Sequence, residues 1–303
     1  MSANSTKAVF AAILANVLIA IAKFVASFFT GSSAMVSEGI HSLVDSCNGL
    51  LLLLGINKSK KAADETHPFG YGLEIYFWSF VVAIMVFALG GGIALYEGFH
   101  HLFHPKVEEV GGLWWNYGVL AAAIAIEGSS LIYALKDFNK ANKGRSFIKS
   151  IRVSKDAATF SVIIEETAAI LGLFLALIGT LLVQFTGMII FDAIASISIG
   201  ILLSAVAFFM AYECKSLIVG ESATPKDISG VTEIIKSKEY IIGYDYPKTL
   251  HFGPESILLA MDVDFKDGLS AEEVEQKIVE IENNIRSFNP KFERIYIEAK
   301  SIK

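Results

Sequence analysis

Cysteine is nearly absent. Of 303 residues only Cys47 and Cys214 carry a thiol, and both fall within long apolar runs. That excludes a disulfide framework. Cys47 could serve as a soft metal ligand, but a small buried hydrophobe is the plainer reading. Also missing are His-Glu-x-x-His, Gly-x-Ser-x-Gly and a phosphate-binding glycine loop. With no nucleophile, cofactor motif or water-activating set in view, nothing argues for covalent chemistry or a prosthetic group, and the enzyme class is disfavoured. Neither an internal repeat nor a low-complexity segment is present. Charge is sparse at 18%, against 53% hydrophobic residues, and the mean hydropathy of +0.54 is too high for an ordinary soluble domain.

What is present in quantity is bilayer-length apolar sequence, for which about 20 residues suffice. Spans are expected at roughly 8–29, 33–55, 74–103, 113–137, 157–184 and 188–218. The first follows a single positive charge, exceeds a signal-peptide core and lacks an Ala-x-Ala site, so it reads as a retained helix.

The net charge of −6 hides an uneven distribution. Lys58, Lys60 and Lys61 follow the second span. Lys136, Lys140, Lys143, Arg145, Lys149, Arg152 and Lys155 crowd the link between the fourth and fifth. The odd-numbered connections hold one lysine, Lys106. Positive loops stay cytoplasmic, so both termini are expected inside. A topology signal explains the basic loop with fewer assumptions than a nucleic-acid patch, and contact with anionic lipid can be added to it.

From Glu221 the pattern becomes that of a soluble domain. Val274, Ile278, Ile281, Ile285 and Phe288 fall at helical spacing after a capping box of Ser270 and Glu273. Leu259, Met261, Val263 and Phe265 alternate with Asp262 and Asp264, as in a half-buried strand. With a helix across Lys226–Lys238, a strand near Tyr240–Tyr246 and a last strand at Ile295 and Ile297, the order is αββαβ. The expected fold is therefore a six-helix, all-α membrane domain over 1–219 and a cytoplasmic, open-faced αββαβ domain over 220–303.

Polar groups inside the spans point to function. Glu38, His41, Asp45 and Asn48 share one face of the second span. Buried charge in hydrocarbon costs several kcal/mol unless it faces protein, water or an ion. An imidazole one turn from a carboxylate is a half-site for a divalent transition metal, against the alternative of a His–Asp pair that fastens two helices. The fifth span holds Glu165-Glu166, pointing about 100° apart. One can face a site shared with the second span while the other snorkels or pairs with a lysine, Lys23 being available. Asn16 and Glu127 are candidates for a proton path or an interhelical bond. Asp192 reads as a helix N-cap, and Gly90-Gly91-Gly92 as close helix packing.

Six spans, acids in the second and fifth, the αββαβ tail and the turn Asp64-Glu65-Thr66-His67-Pro68-Phe69-Gly70 together resemble the cation diffusion facilitator family, over nearly the whole chain. The resemblance implies a homodimeric exporter exchanging cytoplasmic Zn²⁺, or in some branches Mn²⁺, Fe²⁺, Co²⁺ or Cd²⁺, for protons. It also implies a tail of ferredoxin-like, metallochaperone-like fold that dimerises, and a site with two ligands from each of the second and fifth spans. His41 and Asp45 match the first pair. The usual His-x-x-x-Asp of the fifth span is Val162-x-x-x-Glu166 here, so Glu166 carries over by position and Glu165 is the neighbouring candidate. Asp64 and His67 remain of a peripheral ion-binding turn, with Tyr71 in place of another histidine. The binuclear zinc histidines of the tail are replaced by Tyr244, Met261 and Glu298, leaving His251. Leu73 stands where the family has an interlocking lysine at the start of the third span, while Glu221 remains.

One nitrogen and up to three carboxyls suit four-coordinate Zn²⁺ and, being oxygen-rich, also Mn²⁺ or Fe²⁺. A non-transporting scaffold or partner subunit is the remaining alternative.

Overall fold

The computed structural model describes residues 3–104, 113–141 and 155–302. Lys106, Lys143, Arg145, Lys149 and Arg152 of the connecting links lie outside them. Long helices run over α1 (Ala3–Thr30), α2 (Ser33–Ser59), α3 (Glu74–Met85), α4 (Gly92–Phe103), α5 (Leu113–Ala141), α6 (Ala157–Thr186) and α7 (Ile190–Val219). A π-helical segment, Val86–Gly91, joins α3 to α4 into one continuous rod. Among the described residues, five helices are long and apolar enough to cross a membrane, and Asn16–Thr30 of α1 is a shorter apolar stretch. Phe28, Phe103, Trp114, Phe185 and Met188 are among the large side chains exposed on the outside, as a hydrocarbon surround requires.

Two apolar clusters fill the bundle, one containing Leu52, Tyr76, Phe160 and Met210, the other Met35, Leu120, Leu173 and Ile199. Along α2 the change from one to the other falls at Glu38–Ser42, and along α6 at Glu165–Glu166. The charged groups of α2 and α6 thus lie near the boundary between two apolar layers. Glycine sets how closely the third rod and α7 approach. A Cβ at Gly91 would lie 2.4 Å from Ser204 Oγ, and one at Gly200 2.7 Å from Leu95. Of the three consecutive glycines, Gly91 is the one this packing requires.

Asp192 is a cap, but of a neighbouring helix. Its carboxylate accepts from Ser33 N at 2.5 Å, Ser33 Oγ at 2.7 Å and Ser32 Oγ, and so closes the N-terminus of α2 instead of that of α7. Buried donors left without this acceptor are costly. Asp192→Ala should therefore lower the stability of the bundle by about 2 kcal/mol, read as an earlier thermal transition in detergent.

The tail comprises α8 (Pro225–Lys236), β1 (Ile241–Tyr244), β2 (Lys248–Gly253), β3 (Ser256–Phe265), α9 (Ala271–Phe288) and β4 (Phe292–Ala299). The element order is αβββαβ, with one strand more than the sequence suggests. β1 and β2 run antiparallel to opposite halves of β3, and β4 pairs with β3 in parallel. Pro247, which has no N–H to give a ladder, interrupts what would otherwise be a single edge strand. The capping box of Ser270 and Glu273 forms, and Leu259, Met261 and Val263 are buried under Ile281 and Ile285 while Asp262 and Asp264 face the other way.

The tail meets the bundle at the turn between α2 and α3. The Phe69 ring stacks on Phe252 at 4.9 Å, and Arg294 donates to Phe69 O at 2.9 Å from above the same ring. Glu221 pairs with Lys155, the residue whose carbonyl accepts from Tyr76 OH.

Candidate functional site

Four helices contribute to the polar layer. On α2, His41 Nδ1 lies 3.5 Å from Asp45 Oδ1, near the middle of the helix. Neither ring nitrogen of His41 has a hydrogen-bond partner among the described residues, nor do Asp45 Oδ1 and Asn48 Oδ1. Buried polar atoms are normally satisfied, so a run of orphans along one helix face marks a place built for something else. Asn48 Nδ2 reaches Glu165 Oε1 on α6 at 3.5 Å. Asp45 lies close enough to Glu165 and Glu166 for the three carboxyls to influence one another. Among the described residues no three His, Cys, Asp or Glu side chains converge as a ready metal cluster.

The adjacent glutamates, Glu166 nominated by position and Glu165 as its neighbour, take different partners. Glu165 is the buried one and turns to α2, whereas Glu166 is half-buried and accepts from Ser130 Oγ of α5 at 2.7 Å. Glu165, Ala168, Ala169, Gly172 and Ala176 form a buried stripe of α6, and two of its members meet α2, Glu165 at Asn48 and Gly172 at Glu38.

Lys23 does not serve the glutamates of α6. It is wholly buried and donates to Glu38 Oε2 at 3.0 Å, Ser42 Oγ at 2.8 Å and Glu127 Oε1 at 3.2 Å. Glu38 and Glu127 are thereby paired with an ammonium, while Asn16 is half-buried and takes no part in these bonds. Three contributors escaped sequence reasoning: Ser42, Ser130 and Gly172. A Cβ at Gly172 would lie 2.4 Å from Glu38 Oε1. A glycine seven residues after Glu165, on the same helical face, is the signal that could have found it.

At the turn after α2, Asp64 is fully occupied by protein. One oxygen accepts from Thr66 N, Thr66 Oγ1 and His67 N, and the other from Lys61 Nζ and Tyr71 OH, each at 2.8 Å. These donors, the Lys61 ammonium first, hold its carboxyl well below the usual carboxylate range. The His67 ring stands 4.1 Å from Tyr71 and its Nδ1 3.0 Å from Thr66 Oγ1. Asp64 and His67, the two residues of the expected peripheral turn, thus make contacts that hold that turn. In the tail, His251 Nδ1 bonds Gly253 O at 3.1 Å and burial pushes its pKa below the ordinary imidazole value. Cys47 is exposed instead of buried, and Cys214 is buried.

Residues 9–219 match the family described as the cation efflux transmembrane domain. The chain is 34% identical over 261 residues to the mouse proton-coupled zinc antiporter SLC30A9, mitochondrial, covering 86% of this chain and 46% of that protein. It is 30% identical to metal tolerance protein C4 of Arabidopsis thaliana, covering 86% and 57%. Similarity to the uncharacterized transporter MJ0449 of Methanocaldococcus jannaschii, at 24% identity, covers 95% of both chains. The chain spans about half the length of the animal and plant relatives it matches. An apolar bundle with orphaned imidazole and carboxylate groups at its centre and a family match over 9–219 lead to one conclusion: the chain belongs to the cation diffusion facilitator family of divalent cation transporters.

Proposed function

We propose that this protein is a secondary active exporter of divalent metal, Zn²⁺ first, which it exchanges for protons. The observation that carries the reading is the set of orphaned buried atoms on His41, Asp45 and Asn48, facing the carboxylate of Glu165. A cation between α2 and α6 satisfies those atoms and gives the buried carboxylates a counter-charge. Metal binds neutral imidazole and ionised carboxylate, so loading expels protons and protonation from the far side expels metal. Because His41 and Asp45 stand on one helix and Glu165 on another, a relative movement of α2 and α6 is what completes and opens the site. Glu166 takes a second place, at the edge facing α5.

The same proposal includes six spans with both termini cytoplasmic, a transport domain over 1–219 and a dimerising tail over 220–303 in a homodimer. A cavity of about 600 Å³ lies between bundle and tail, lined by Asp156, Glu255 and Glu293 together with Lys60, Lys61 and Arg294. One imidazole against several carboxylates favours Mn²⁺ or Fe²⁺ as second cargo, with Co²⁺ and Cd²⁺ after them. Proton-coupled flux in proteoliposomes, with all five ions in one preparation, tests the reading. Flux of any of them under a pH gradient supports export, and the order of rates assigns the cargo. No flux of any would return the protein to the scaffold reading.

The tail should fold without metal. Its histidine set is reduced to His251, and its core of Val231, Leu259, Ile281 and Phe292 is complete in itself. Residues 221–303 alone should show no tight multi-site Zn²⁺ uptake by calorimetry and no change in melting on chelation. The pH dependence follows from His251. Its folded pKa is depressed, so the unfolded chain binds the extra proton, and stability should fall as pH drops below about 6.5. Two stoichiometric tight sites would overturn this account of the tail.

A further inference from the structure

Lys23 gives all three ammonium hydrogens to protein oxygens, on Glu38 and Ser42 of α2 and Glu127 of α5. An ammonium has three donors, so the group is saturated and fixed. Glu38 stands on the same face of α2 as His41 and Asp45, one and two turns away. Its second oxygen, Oε1, has no hydrogen-bond partner among the described residues and fills the space left by Gly172; Glu127 Oε2 is likewise unbonded. Released from Lys23, a carboxylate in that position is within reach of an ion held by His41. With Glu127 and the Ser42 hydroxyl it would also make an all-oxygen donor set, the kind that suits Mn²⁺ or Mg²⁺ better than Zn²⁺.

We propose that Lys23 determines cargo specificity: its ammonium fills a cation position between Glu38 and Glu127 and withholds Glu38 from the transported ion, so that His41, Asp45 and α6 alone select it. The inference rests on the ion site proposed above. Lys23 acts through Glu38 and is a positioning residue, one that never touches the cargo. A built-in cation keeps the carboxylate count at the site low, and a low carboxylate count disfavours the harder ions.

The test is competition between Zn²⁺ and Mn²⁺ for equilibrium binding to the purified full-length protein in detergent. Lys23→Met should raise the affinity for Mn²⁺ relative to Zn²⁺ about tenfold, and Lys23→Met/Glu38→Gln should restore the original ratio. Lys23→Met strands two buried carboxylates and can misfold. Lys23→Met/Glu127→Gln removes one charge of each sign, leaves Glu38 free and should raise the ratio as well. A folded variant that lacks Lys23, keeps Glu38 and shows the wild-type ratio overturns the proposal. So does a raised ratio that persists after Glu38→Gln. The readout is binding, so failure here leaves export standing, and absence of flux in liposomes leaves this result standing.

Discussion

Asp45→Ala, and separately His41→Ala, should reduce metal flux by roughly a hundredfold or more while the protein still folds and inserts. His41 and Asp45 lie 3.5 Å apart, and the ring nitrogens make no hydrogen bond among the described residues. Truncating either removes no cap and no hydrogen bond made among the described residues. Asp45 in addition lies near Glu165 and Glu166 across the polar layer and takes no hydrogen bond from them. Metal-free Asp45→Ala should therefore melt close to the wild type. The ion-dependent part of stability tells the opposite story. A ligand that binds only the folded state adds about 2.7 kcal/mol at a hundred times its Kd. Wild-type protein should gain such a shift with Zn²⁺, and Asp45→Ala should lose it together with flux. A well-assembled Asp45→Ala variant that transports at the wild-type rate would sink the site assignment.

The α2 face was legible because two signals coincide on it: charge where hydrocarbon forbids it, and spacing that gathers Glu38, His41, Asp45 and Asn48 on one side. Which partner each group takes was not legible, because periodicity along one helix carries no information about the rotation of its neighbours. Lys23 illustrates the gap. The sequence offers it as a counter-ion for a glutamate of α6, yet the packing of α1 against α2 and α5 delivers it to Glu38 and Glu127. Asp192 is the same lesson at a helix end, since its position suggests a cap but only the fold shows that it serves α2. In the tail, the alternation along β3 and the capping box of α9 are legible in the local pattern. The break at Pro247 was missed because Lys248–Gly253 has no clean alternation to separate a second edge segment from a loop.

The largest effect on α6 should come from Glu165. Positional matching to the family pattern nominates Glu166, and the 100° step between neighbours means that both cannot aim at one point on an undistorted helix. The structure resolves their orientation: Glu165 is buried and reaches Asn48 of α2 at 3.5 Å, while Glu166 is half-buried and bonded to Ser130 of α5 at 2.7 Å. A carboxamide keeps the shape of the side chain but removes the charge that offsets a dication. Glu165→Gln should therefore abolish Zn²⁺ binding and flux together. Glu166→Gln should keep binding within about tenfold of wild type, because it strips charge from the edge of the site and not from its centre. The two variants measured side by side, for affinity in detergent and for flux in liposomes, decide the register. If Glu166→Gln loses binding and Glu165→Gln retains it, then the ion-loaded protein must turn α6 by about 100° from the orientation described here. Such a turn would exchange the Asn48 and Ser130 partners of the two glutamates, and a disulfide placed between α5 and α6 to prevent it would then block transport while leaving the fold intact.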